Sequence, residues 1–173
     1  MTIKINPCNL TEQKSKILGQ FLNKSPHFVI RNKKWKVNLD GKKVSFKLTH
    51  TLICRPRIEH SPQKAGYRYE VMNHYPLGSG NFGSVYPSIA TLGFEQGKLF
   101  SITNGKSRVI KIQEKTPGQD EAYLSRQVPH LHMKPMVIDD EKQESFLVFK
   151  KMPGENLQTI LKKNKLTIDQ KYS

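Results

Sequence analysis

Three glycines, Gly78, Gly80 and Gly83, form a G-x-G-x-x-G run inside Leu77-Gly78-Ser79-Gly80-Asn81-Phe82-Gly83-Ser84-Val85-Tyr86, and Lys111 follows 28 residues after the last of them. These residue types suit the holding of phosphate. Glycine has no Cβ, so its backbone can approach a phosphate closely and aim N–H donors at it. Lysine adds a compact positive charge. Lys111 stands in Arg108-Val109-Ile110-Lys111-Ile112, where a period of two puts Val109 and Lys111 on one strand face. A lysine on an apolar face needs a negative partner. Glu121, in a short predicted helix, is the first candidate; Glu114 lies at the strand end, and Asp120 suits a cap or first turn. Against this stands a plainer reading: a glycine-rich hairpin beside a solvent-facing lysine.

Strands must position that run. Tyr67 to Leu77 reads as the strand entering it and Val85 to Ala90 as the strand leaving, with Pro87 demanding a bulge or an edge. No helix follows the glycines, which argues against a dinucleotide fold. No Gly-Lys-Ser/Thr closes the run, so it is not a Walker A loop. Residues 91–106 read as an extra loop or hairpin, and Arg108 to Gln113 as a third strand. Asp120 to Val128 reads as a helix stopped by Pro129. Met133 to Ile138 and Ser145 to Phe149 read as two further strands, joined by Asp139-Asp140-Glu141. Residues 155–163 read as a helix, with Leu157, Ile160 and Leu161 on one face.

The front of the chain has a different character. Of a net charge of +15, most lies in residues 1–74, which hold 15 Lys/Arg against 4 Asp/Glu. Such a surface favours anionic partners: nucleic acid, an acidic membrane face or an acidic protein. Asn9-Leu10-Thr11-Glu12 resembles a capping box, followed by a predicted helix over residues 10–23. Trp35, Val37 and Leu39, then Val44, Phe46 and Leu48, alternate around Asp40-Gly41, which predicts a tight hairpin. Lys33, Lys34, Lys36, Lys42, Lys43 and Lys47 cluster around Trp35 and Phe46, an arrangement that stacking and phosphate neutralisation could use on single strands. A solvated lysine-rich hairpin is the plainer reading. Residues 49–58 offer a further strand, and residues 60–66 read as a linker. Cys8 and Cys54 carry no metal-ligand spacing, and one disulfide is arithmetically open to them. No apolar run approaches the length of a membrane-spanning helix, and the first ten residues lack a signal-peptide core. The chain reads as soluble and cytoplasmic.

The order of glycine loop, strand lysine, helix glutamate, two strands and Phe146-Leu147-Val148-Phe149-Lys150-Lys151-Met152-Pro153-Gly154-Glu155-Asn156-Leu157 resembles the amino-terminal lobe of the protein kinase superfamily over residues 67–163. The resemblance implies an α+β fold: a twisted antiparallel five-stranded sheet with one helix, preceded by a basic helix-plus-hairpin extension over residues 1–66. Residues 164–173 would be a tail or the start of a carboxy-terminal lobe. It implies a Ser/Thr-type kinase that moves the ATP γ-phosphate to a protein hydroxyl, with Mg²⁺ held by the other lobe. Lys111 would hold the α/β-phosphates and Glu121 would fix Lys111, as the catalytic pair. Leu77, Gly78, Ser79, Gly80, Asn81, Phe82 and Gly83 would cover the nucleotide. Val85 and Val109 would roof the adenine, Phe149 would be the gatekeeper, and Lys150 and Met152 would belong to the hinge. Val109 replaces the family's usual alanine, and the H-R-D and D-F-G motifs are missing. The sparse motifs look similar to kinases that intracellular bacteria deliver into host cytosol. The alternatives are a pseudokinase-like protein-binding module, or a basic nucleic-acid-binding protein acting through residues 1–66.

Overall fold

The computed structural model describes residues 1–24, 28–56, 66–103, 107–128 and 137–154. The sequence expectations for the linker over 60–65, most of the strand over 133–138 and the helix over 155–163 lie outside the described residues.

The chain opens with a short strand, β1 (Thr2–Ile5), and a helix, α1 (Glu12–Lys24). Thr11, rather than Asn9, faces the first turn: its Oγ1 accepts from the Lys14 N–H at 3.4 Å. The predicted periodicity then appears as a buried stripe of Ile17, Leu18, Phe21 and Leu22. Gly19 lies in that stripe, close to the Gly97 carbonyl oxygen, which an added Cβ would meet at 3.4 Å. β2 (Val29–Ile30) follows, then β3 (Lys34–Leu39) and β4 (Lys42–Leu48). Asp40 at φ 50° and Gly41 at φ 82° supply the two left-handed residues that a tight hairpin between β3 and β4 requires. β1 adds to the far side of β4 in parallel, giving a small three-stranded sheet in the order β1-β4-β3.

The remaining strands build one larger sheet. They are β5 (Leu52–Pro56), β6 (Tyr67–Met72), β7 (Gly78–Gly80), β8 (Gly83–Glu95), β9 (Lys98–Ile102), β10 (Arg108–Glu114), β11 (Val137–Asp139) and β12 (Glu144–Lys150), with α2 (Lys115–Arg126) between β10 and β11. With β2 the sheet has nine strands among the described residues, in the order β11-β12-β10-β8-β6-β5-β2, while β7 and β9 pair with β8.

β8 is the central beam. Its first residues pair with β7 and β10, and its later ones with β6 and β9. The bulge that Pro87 demands lies just beyond it, where Val71 faces Ala90 but Met72 faces Ser88. That bulge bends the strand and lets one strand serve both halves of the sheet.

The bend curls the sheet until its edges approach each other. Ile53 of β5, Ile110 of β10, Val137 of β11 and Phe146 and Val148 of β12 meet in one buried cluster, with Val29 and Met72 against it. Across the seam, Arg31 Nη2 donates to Asp139 Oδ2 at 2.6 Å and to Glu144 Oε2 at 2.7 Å. The result is a nearly closed barrel. A second cluster lies outside it, where α1 is held between the small sheet and the outer faces of β5, β6 and β8. Phe21 meets Phe46 edge-on and lies 5.2 Å from Trp35, centroid to centroid.

This architecture overturns the kinase-lobe expectation. A twisted antiparallel five-stranded sheet with one helix was implied; among the described residues the structure has a nine-stranded near-barrel, a separate three-stranded sheet and two helices. The reason lies in β8, whose 13 residues run through the segment read as an extra loop and recruit β6, β5 and β2. The Ser/Thr kinase, γ-phosphate-transfer, bacterial-effector and pseudokinase readings rested on that lobe and fall with it.

Both cysteines are free thiols, Cys8 exposed and Cys54 buried. Burial pushes the Cys54 thiol up to about 12, against smaller pulls from Tyr69 and Arg55. A thiol reagent at neutral pH is therefore expected to label Cys8 promptly and Cys54 only after denaturation, which mass spectrometry of the labelled chain checks.

Candidate functional site

The glycine turn and Lys111 come first, because the sequence singles them out. β7 and β8 pair as Gly78 with Val85, Ser79 with Ser84 and Gly80 with Gly83. Gly83, at φ 105°, has a steric reason for its identity: a Cβ there would stand closer to the Ile112 carbonyl oxygen than any real contact allows. Gly78 and Gly80 face open space. Leu77 and Phe82 are exposed. Under the turn, Gly80, Asn81, Phe82, Gly83, Gln113, Glu114 and Pro117 line a cavity of about 310 Å³.

Lys111 Nζ donates to Glu121 Oε2 at 2.5 Å. Val85 lies across the ladder from Lys111, and Phe149 across from Val109, so these four residues share one sheet face. Lys150 pairs with Arg108 and belongs to the opposite face, while Met152 lies exposed beyond β12. α2 reaches Lys111 because it begins at Lys115, earlier than predicted. Pro117 is tolerated within its first turn, where backbone N–H groups have no helical partner.

The expected cofactors, ATP with Mg²⁺, and the expected protein substrate rested on the kinase fold and are withdrawn with it. Among the described residues, no group of three or more His, Cys, Asp or Glu side chains is placed to hold a metal ion. No described helix is long and apolar enough to cross a membrane.

The second site lies on the small sheet. Alternation sends Val37, Phe46 and Leu48 into the core, and leaves Lys4, Lys34, Lys36, Lys43 and Lys47 exposed on the other face. The register lines three of them up: Lys4 is directly opposite Lys47, and Lys47 directly opposite Lys34. β1, β3 and β4 contain no Asp or Glu. Lys16 of α1 already neutralises Asp40 of the turn at 2.8 Å. Among the described residues, none of the five lysines joins an ion pair. Like charges directly opposite each other across strands cost stability.

This site corrects the single-strand nucleic-acid reading of residues 1–66, which needed Trp35 and Phe46 as stacking platforms. Phe46 is fully buried. Trp35 turns inward onto Phe21, donates its Nε1–H to the Arg31 carbonyl at 3.0 Å, and has Lys33 4.6 Å from its ring centroid. The aromatics hold the sheet to α1 and leave no exposed ring among the lysines. Sequence reasoning found the hairpin lysines but missed Lys4. The alternation Thr2-Ile3-Lys4-Ile5 is the signal that could have placed it.

Comparison of the chain with protein-family models, with curated proteins and with solved structures finds no match.

Proposed function

We propose that the chain is a docking module whose lysine face holds an anionic membrane surface. The observation that carries this reading is the row Lys4, Lys47 and Lys34 on adjacent strands. Three like charges in register, without an ion-pair partner among the described residues, weaken the fold unless an external array of negative charge offsets them. The face is one side of a small sheet, and among the described residues no helix protrudes from it and no exposed aromatic lies on it to enter a nucleic-acid groove or stack on a base. Planar anionic headgroups match it better than a curved phosphate backbone. Anionic lipid is concentrated on the cytoplasmic leaflet, which agrees with the cytoplasmic location read from the sequence. In this reading β1, β3 and β4 carry the lysine face, and the larger sheet, β2 and β5 included, supplies the barrel that braces it.

Each lysine near such a surface contributes about 1 kcal/mol, so replacing Lys4, Lys34 and Lys47 by serine is expected to weaken vesicle binding roughly 100-fold. Co-sedimentation with phosphatidylserine vesicles, with phosphatidylcholine vesicles as the control, reads this directly. The same variant is expected to melt no lower than the natural chain, because it loses like-charge repulsion. Equal binding by variant and natural chain would sink the proposal. Tighter binding to duplex DNA than to phosphatidylserine at matched salt would sink it too, and would move the partner to nucleic acid.

A further inference from the structure

Inside the barrel, away from the lysine face and the glycine turn, lies a charge cluster with more positive than negative members. Glu70 is fully buried. Its Oε1 accepts from Arg55 Nε at 2.5 Å and stands 3.5 Å from Arg108 Nε. Its Oε2 accepts from Ser88 Oγ at 2.6 Å and Thr91 Oγ1 at 2.8 Å. One carboxylate thus faces two guanidinium groups. Lys150 lies directly across the ladder from Arg108 and adds a third positive charge to that face.

The two arginines are not equally satisfied. Arg55 has the short hydrogen bond to Glu70, whereas Arg108 makes no hydrogen bond to a described residue. Its side chain is only 12% exposed. Burial pulls the Arg108 guanidinium below its ordinary value, the Arg55 charge pulls it further, and Glu70 opposes both. A guanidinium that stays charged in such surroundings is short of negative partners.

Arg108 does not face solid protein. Ser88, Thr91, Thr103, Ser107 and Arg108 line a cavity of about 180 Å³ where β9 ends and β10 begins, with Ile102 and the backbone of β8 as its walls. Ser88 and Thr91 already donate to Glu70, which leaves the Thr103 and Ser107 hydroxyls and the Arg108 guanidinium as donors for a tetrahedral oxyanion, the arginine through two parallel N–H groups. Among the described residues no carboxylate lines the cavity itself; Glu70, behind it, is engaged by Arg55, Ser88 and Thr91.

We propose that this cavity is a binding site for a phosphate- or sulfate-type oxyanion, held by Arg108 with the Ser107 and Thr103 hydroxyls at its mouth. The ligand is either the free anion or the terminal phosphate of a small molecule. Bound there, it balances the surplus charge around Glu70 and ties β9 to β10.

Calorimetric titration of the full chain with inorganic phosphate, at ionic strength held constant with chloride, tests this. Saturable one-site binding is expected, together with a rise in melting temperature. Lys4, Lys34 and Lys47 replaced by serine should leave it unchanged, which separates this site from the lysine face. Ser107→Glu places a carboxylate beside Arg108 at the exposed mouth, where folding does not depend on the wild-type side chain. It is expected to weaken phosphate binding about tenfold or more by supplying the negative partner itself. Phenyl phosphate distinguishes the two sources: binding tighter than inorganic phosphate assigns a phosphorylated small molecule, and weaker binding assigns the free anion. No saturable binding by the natural chain, or undiminished binding by Ser107→Glu, overturns the proposal.

Discussion

Replacing Glu70 by glutamine is expected to destabilise the fold by about 3–5 kcal/mol, the cost of removing one partner from a buried charge network. Glu70 is fully buried and accepts from Arg55, Ser88 and Thr91, with Arg108 at 3.5 Å. Glutamine keeps the size and one carbonyl acceptor, but leaves two guanidinium groups facing each other without a counter-charge. For a chain of 173 residues this corresponds to a fall in melting temperature of roughly 10 °C or more. Thermal melts and urea midpoints measure it. Added phosphate should restore part of the loss in this variant, because an anion beside Arg108 answers the same excess charge. A loss below about 1 kcal/mol would mean that water already solvates the cluster and that the carboxylate is dispensable.

Arg31→Met is the second large effect. Arg31 is the polar clasp between the two edges of the curled sheet, since it sits just after β2 and reaches Asp139 on β11 and Glu144 on β12. Its guanidinium also lies 5.8 Å from the centroid of the Phe146 ring. Methionine keeps the apolar stem but removes two charge-assisted hydrogen bonds, at an expected cost of about 2–3 kcal/mol. The effect depends on pH. Burial opposes ionisation of Asp139, but hydrogen bonds from Arg31 and from the Lys142 backbone N–H outweigh it and hold the carboxyl below its ordinary 3.8. A carboxyl lowered on folding binds protons more readily in the unfolded chain. Its stabilisation is therefore complete above the unfolded value and is lost as pH falls through the lowered folded value. The natural chain and Arg31→Met should differ fully at neutral pH and converge below pH 3.8. Chemical denaturation at a series of pH values measures this. A gap that persists in acid would assign the loss to packing against Phe146 instead of the clasp.

These two residues also show where reading the chain alone runs out. Local pattern is enough for the β3–β4 hairpin, because Asp40-Gly41 carries the required left-handed backbone within the turn itself. The buried stripe of α1 follows from spacing alone, and so does the shared face of Val109 and Lys111. In each case the physical cause lies within a few residues, as a dihedral preference or a side-chain period.

Closure of the barrel has no such local cause. The Arg31–Asp139 contact joins residues 108 apart, and nothing near either one announces it. Nothing in the sequence around Tyr69-Glu70-Val71 marks Glu70 as buried. Only the curl of the sheet turns its face into an interior and brings Arg55 and Arg108 to it. Pro87 calls for a bulge or an edge, and a bulge follows it; but the strand read as ending at Ala90 continues to Glu95 and recruits β6 and β9. That single continuation separates a five-stranded lobe from a nine-stranded near-barrel. The residues and their periods therefore determined the local elements and the excess of positive charge. Which faces meet, which charges are buried and which lysines stand in register were decided by tertiary pairing, because those energies exist only once distant strands lie side by side.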